Sequence, residues 1–263
     1  MVLGGDIDMK IGICTSLDNI EKVAQIGFDY IELAVTEIAG LDSGEFSTAI
    51  HKIENSGIAC EALNVLFPGN IRLTGQEVDV GKIKEYLDGA FNRVSQLGAK
   101  IVVFGSGGPR KIPEGWDKEK AWEQLKDVAK ITGDIAGKYD ITIAMEPLNK
   151  GETNILNSVS EGYRFVQEVD HPNVKLLADF YHMRKESENL SVLKSVASQL
   201  VHLHIAEGRD RTYPKDPSED SYEEFFNILK QVGYDGRCSI EGRTSNIEED
   251  GPIALNLLRK LTE

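Results

Sequence analysis

The sequence predicts an α/β protein with a single-domain (β/α)8 TIM barrel, and three observations lead there. Eight short apolar segments alternate strictly with eight segments of helical pattern, as in parallel strands joined by helices. The apolar segments are hydrophobic almost throughout, as strands are when helices cover both faces of a parallel sheet. The chain has 263 residues, and eight such units take about 250. An open doubly wound sheet is the runner-up, but no Gly-x-Gly-x-x-Gly follows the first strand.

The elements follow in order. Residues 10–15 form the first strand, and Asp18 is expected to cap a helix running to Ile26, where Gly27 stops it. Strand two covers 30–35, and a helix over 45–55 ends at Ser56-Gly57. Strand three covers 58–63, and the helix over 80–97 stops at Gly98. Strand four covers 100–104 and runs into Gly105-Ser106-Gly107-Gly108-Pro109. A long helix spans 117–139 and strand five 141–145. The helix over 158–169 is broken by His171-Pro172-Asn173 before strand six at 174–179. A helix over 190–199, strand seven at 200–205, a helix over 221–232, strand eight at 237–241 and a helix over 247–262 complete the chain. Residues 1–9 read as a loose leader and 10–263 as the barrel, without linker or repeat.

Composition narrows the function classes. Hydrophobic residues make up 41% and charged residues 27%, a globular balance. No apolar run approaches the roughly 18 residues that span a bilayer, and the first ten residues lack the pattern of a signal peptide. A net charge of -14 argues against binding nucleic acid or an anionic membrane. Cys14, Cys60 and Cys238 lie in apolar runs without metal-ligand spacing. They read as free, buried thiols of a cytoplasmic protein.

The chemistry gathers at strand ends. Strand five ends on Glu146, strand six on Asp179, strand seven on His204 and strand eight on Glu241. A charge at the tip of a buried strand is costly unless something binds it. In a (β/α)8 barrel these tips share the C-terminal face, where active sites lie. Three carboxylates and an imidazole suit one divalent cation, Mn²⁺, Mg²⁺ or Co²⁺, with Zn²⁺ also compatible. Open coordination positions would accept a carbonyl and a neighbouring hydroxyl of a sugar, making the adjacent C–H acidic. One carboxylate could take that proton and another return one. Taken singly, each residue has an ordinary role: Glu146 or Glu241 in a loop ion pair, Asp179 as a helix cap, His204 in a core hydrogen bond. The coincidence of four at one barrel end favours the metal.

The motifs Glu146-Pro147-Leu148-Asn149 with Glu152, Asp179-Phe180-Tyr181-His182-Met183, His202-Leu203-His204-Ile205-Ala206-Glu207 and the final Glu241 carry a resemblance. The sequence resembles the xylose-isomerase-like barrels of sugar phosphate isomerases and epimerases, and among them the ketose 3-epimerases of D-tagatose/D-psicose type. The resemblance spans nearly the whole chain beyond Lys10. It implies that Glu146, Asp179, His204 and Glu241 hold one divalent ion, commonly Mn²⁺. It also implies that Glu146 and Glu241 exchange a proton at C3 of a ketose through a cis-enediolate. By the same resemblance Glu152 and His182 bind substrate hydroxyls. Arg211, rather than Arg209, supplies the substrate-binding arginine, with a spacing from His204 that differs by one residue. A homo-oligomer is a further expectation of the resemblance.

Weaker candidates surround these. His202 either orients a ligand or is a buried hydrogen-bonded histidine, and Glu32 and Asn64 are candidates for lining the pocket. The Gly105–Gly108 segment, followed by Arg110 and Lys111, has two readings: an anion nest for a substrate phosphate, or a tight turn out of the strand. The turn is preferred. Phe67, Phe104, Trp116 and Tyr181 are candidates for an apolar wall against a sugar. Competing functions are aldose–ketose isomerisation of the hydroxypyruvate- or xylose-isomerase kind, keto-inositol dehydration and a non-catalytic sugar-binding barrel. An endonuclease IV-like DNA repair enzyme would need three zinc ions and more histidine ligands than the five histidines here provide.

Overall fold

The computed structural model describes residues 8–263. The leader expected over residues 1–9 therefore lies mostly outside the described residues, and Met9 itself packs into the core. Eight parallel strands close in chain order: β1 (Lys10–Cys14), β2 (Tyr30–Ala34), β3 (Ala59–Asn64), β4 (Ile101–Phe104), β5 (Thr142–Met145), β6 (Val174–Asp179), β7 (Leu200–Ile205) and β8 (Arg237–Ile240), with β8 pairing back onto β1.

Helices α1 (Ile20–Ile26), α2 (Val35–Gly40), α3 (Ser43–Ser56), α4 (Val80–Gln96), α5 (Gly107–Arg110), α6 (Lys118–Lys138), α7 (Val159–Val169), α8 (Phe180–Lys185), α9 (Leu193–Val196), α10 (Tyr222–Gln231) and α11 (Ile247–Thr262) fill the connections. Their starts follow local chemistry. Asp42 and Glu45 form a reciprocal capping box on α3, and Asp79, Asp117, Ser158 and Asn246 each accept a backbone N–H of the helix they precede. Gly27 adopts the left-handed conformation that ends α1.

Four details differ from the sequence reading. Asp18 does not cap α1; it sits in a 3-10 turn over Leu17–Asn19 and pairs with Lys52. The helix expected over 190–199 is one short α turn flanked by two 3-10 turns. The short helices α2, α5 and α8 stand where no helix was expected; α2 and α8 each begin at the residue after a strand with no loop to announce them. Cys60 and Cys238 are buried but Cys14 is partly exposed, and all three are free.

Side chains of a strand alternate between its two faces. Ile31, Leu33, Val102, Phe104, Ile143, Met145, Leu176 and Ala178 belong to the large core shared with the helices. The alternate residues Tyr30, Ala62, Ile101, Val103, Ala144 and Leu177 form a separate small cluster, the interior of the barrel. No helix among the described residues is long and apolar enough to cross a membrane.

The interior is tightly filled at Gly12. Its partners across the sheet are Tyr30 and Ser239, and a Cβ there would lie 2.2 Å from the Tyr30 ring. Gly12→Ala should therefore lower stability by about 1–3 kcal/mol through overpacking. Gly89, inside α4 with open space around it, should do the opposite, with Gly89→Ala stabilising by about 0.5–1 kcal/mol. Urea denaturation of both variants checks the pair of signs.

Candidate active site

Each of the four strand-tip residues lies two positions beyond an interior residue. Glu146 follows Ala144, Asp179 follows Leu177, His204 follows His202, and Glu241 follows Ser239. The period of two turns all four toward the barrel axis, and the β6–β7 register sets Asp179 beside His204. The structure brings the four together: one donor atom from each lies within 4.8 Å of the others. His204 Nδ1 is 3.1 Å from Glu146 Oε1 and 3.5 Å from Glu241 Oε2. Glu146, Asp179 and His204 are buried, and Glu241 is partly exposed.

Asp179 caps α8 with one oxygen and leaves the other free. Its Oδ1 accepts the Tyr181 N–H at the start of α8, while Oδ2 is buried without a hydrogen-bond partner. His182, brought in by α8, lies with Nε2 3.4 Å from that oxygen, and Nε2 is also without a hydrogen bond. His182 Nδ1 accepts from the Asn149 backbone N–H at 3.2 Å and faces the Asn149 amide at 2.8 Å. The ring proton therefore belongs on Nε2, directed into the cluster. Two adjacent buried polar atoms lacking partners mark a place built for something else. A hard divalent cation fits the donor set, which has three carboxylates, one imidazole and no thiolate.

Electrostatics separate the four groups. Burial pushes the Glu146 carboxyl up, against the pull of His204. Burial, aided by the charge of Glu241, raises Asp179 to about 6. For Glu241 burial also works upward, but His204 and Arg211 outweigh it and hold the carboxyl at about 2. Burial opposes the His204 imidazolium, yet Glu32 and Glu241 raise its pKa well above the usual range.

Arg211 belongs to the site. Its Nη2 bonds Glu241 Oε2, Nη1 donates to Glu152 Oε1 at 3.1 Å, and its guanidinium lies 4.8 Å over the Tyr181 ring. Arg211 takes a left-handed backbone (φ 56°), rare outside glycine and Asn/Asp. Arg209 is exposed and makes neither contact. Glu152 also accepts the Asn149 side-chain amide at 3.0 Å, so Asn149, a motif residue given no role from sequence, ties Glu152 to His182.

Behind the cluster lies a second buried polar group. Glu32 contacts His204 Nε2 at 3.0 Å and His202 Nε2 at 2.8 Å, and accepts Ser239 Oγ, itself 2.7 Å from Tyr30 OH. Asn64 donates to Glu241 at 3.1 Å. Glu32 carried a related sequence signal, a carboxylate within an apolar strand and not at its tip.

The segment after β4 turns out of the strand into the one-turn helix α5, in line with the preferred turn. Arg110 is fully buried, donating to the carbonyls of Phe104 at 3.1 Å and Glu146 at 2.7 Å. A Cβ at Gly105 would lie 1.8 Å from Glu146 Oε2, so only glycine lets the Glu146 carboxylate sit there. Phe67 and Phe104 pack on each other in the core, with ring centroids 5.1 Å apart, and Trp116 packs partly buried against it. Of the four aromatics expected to form a wall, Tyr181 contacts the site's Arg211.

Comparison with known proteins agrees with this architecture. The profile of the xylose isomerase-like TIM barrel family matches residues 20–261. The D-psicose 3-epimerase of Agrobacterium fabrum is 27% identical over 227 residues, covering 84% of this chain and 77% of that protein. The L-ribulose 3-epimerase of Methylomonas sp. is 30% identical over 235 residues, covering 87% and 78%. A crystal structure of D-psicose 3-epimerase in the presence of D-fructose superposes with a TM-score of 0.85 at 23% identity, over 97% of this chain and 99% of that one. By closed barrel and by profile, the chain belongs to the xylose isomerase-like TIM barrel family.

Proposed function

We propose that the chain is a divalent-metal-dependent sugar epimerase of the ketose 3-epimerase type. The observation that carries this reading is the convergence of Glu146 and Glu241 on the same His204 nitrogen, beside the unpartnered Asp179 oxygen. Kinship with sugar 3-epimerases supports it. Glu146, Asp179, His204 and Glu241 would hold the ion, with Mn²⁺ suggested by the resemblance to ketose 3-epimerases and Mg²⁺ or Co²⁺ also compatible with the donor set. Bound there, the ion supplies Lewis acidity toward the carbonyl and neighbouring hydroxyl of the sugar.

The protein groups divide the remaining work. Glu146 and Glu241 are the proton carriers: one removes the C3 hydrogen, giving a cis-enediolate, and the other returns a proton to the opposite face. Their surroundings differ: Glu146 is buried against Gly105, whereas Glu241 is partly exposed and bonded to Arg211 and Asn64. His182 Nε2–H and Glu152 bind substrate hydroxyls. Arg211, the proposed substrate-binding arginine, also links Glu152 to Glu241 and orients both.

Incubation with a panel of ketoses in D₂O and Mn²⁺ should place deuterium at C3. Exchange confined to C1 would instead identify an aldose–ketose isomerase. Glu146→Gln and Glu241→Gln should each lower kcat by about 10²–10⁴-fold, the usual worth of an acid or base; near-normal turnover in either overturns the pair. Chelation should abolish activity and Mn²⁺ restore it. At 100 times its Kd, Mn²⁺ should stabilise the fold by about 2.7 kcal/mol, read from thermal melts with and without EDTA.

A further inference from the structure

We propose that Glu32 is a positioning residue, fixing His204 with its proton on Nε2 so that Nδ1 is presented bare to the cation. The proposal rests on the metal reading above. Glu32, His202, His204 and Ser239 are no more than 1% exposed, so no water is at hand to correct a mismatched hydrogen bond. Three side-chain groups converge on one carboxylate: His204 Nε2 at Oε1, and His202 Nε2 and Ser239 Oγ at Oε2. An ionised carboxylate only accepts, so all three must donate.

The direction of every proton follows. Ser239 spends its single hydrogen on Glu32, so its oxygen accepts from Tyr30 OH, 2.7 Å away. His202 carries its proton on Nε2, and its Nδ1 is left as a buried atom without a partner. His204 likewise donates from Nε2. In the neutral ring the lone pair then sits on Nδ1, the nitrogen facing Glu146 and Glu241. A carboxylate behind a metal-bound histidine commonly sets the ring's tautomer and basicity.

Glutamine at this position tests the idea, since it keeps the shape but brings an NH₂ donor into a ring of donors. Either a buried donor loses its acceptor, or His204 turns its Nε2 lone pair to the amide and moves its proton to Nδ1, where the cation belongs. Glu32→Gln should therefore raise the Kd for Mn²⁺ by about 10–100-fold, measured by calorimetry without substrate. The melt of the metal-free variant should stay within a few degrees of wild type. Imidazole ¹⁵N spectra of the wild type loaded with diamagnetic Zn²⁺ should place the His204 proton on Nε2, and five histidines keep the assignment tractable. A folded Glu32→Gln protein whose Kd lies within threefold of wild type overturns the proposal, and so does a His204 proton found on Nδ1. The spectra decide it if the variant does not fold. Wild type that binds no divalent cation would overturn the metal reading and this proposal together, whereas wild-type binding with an unchanged variant Kd removes only the role of Glu32.

Discussion

Glu32, Glu146 and Asp179 are three carboxylates buried within one small volume at the mouth of the barrel, and buried charge of one sign is tolerable only if positive charge is interleaved with it. His204 supplies the first share, with Glu32 on one ring nitrogen and Glu146 and Glu241 on the other. Arg211 supplies the second, bridging Glu241 and Glu152 from the solvent side. Arg110 supplies a third from below. It reaches no carboxylate oxygen but donates to the Glu146 carbonyl, and burial lowers its pKa to about 10 against the opposing field of Glu146. A divalent cation among the four tips would take over the share of His204, whose metal-bound ring is neutral.

This charge pattern depends on the regularity of the barrel. Period-two alternation places Ala144, Leu177, His202 and Ser239 one tier inside the proposed ligands, apolar on β5 and β6 and polar on β7 and β8, with Glu32 of β2 bonded to His202 and Ser239. Glycine is required where the tiers crowd: Gly12 against the Tyr30 ring and Gly105 against the Glu146 carboxylate. The site is thus mounted on strands, whose positions vary little. The proposed substrate contacts Glu152, His182 and Arg211 are mounted on loops and a short helix, the parts of such barrels that differ with the molecule handled.

The loop residues are nonetheless held. Asn149 accounts for two of them, with its backbone N–H and amide on His182 and the same amide on Glu152. Arg211 is held by its left-handed backbone, by a backbone bond from Arg243 N–H to its carbonyl at 2.7 Å, and by the Tyr181 face. A groove between Trp122, Arg164, Glu186 and Glu188, of about 530 Å³, shares no residue with this cluster. Chemistry places the proposed site here, more than the size of any hollow does.

The barrel was legible in the sequence because hydrophobic periodicity is local, and eight alternations leave few other folds. The four strand tips were legible for a related reason: a charge ending an apolar run stands out within a few residues. Glu32 showed a related signal but ranked low, since nothing local said that it would meet His202 and His204, some 170 residues away. The helix carrying His182 and the bond between Asn149 and His182 left no periodic trace, as each depends on one turn of chain against another strand. The Gly105–Gly108 segment with Arg110 had two readings, a phosphate nest and a preferred tight turn, and nothing local showed that Arg110 would be buried against backbone carbonyls. Sequence by itself determined which side chains would crowd one end of the barrel, because strand periodicity is written residue by residue. Tertiary structure alone decided which atoms face one another and which find no partner, because those depend on closing β8 onto β1 and on loops from different strands meeting.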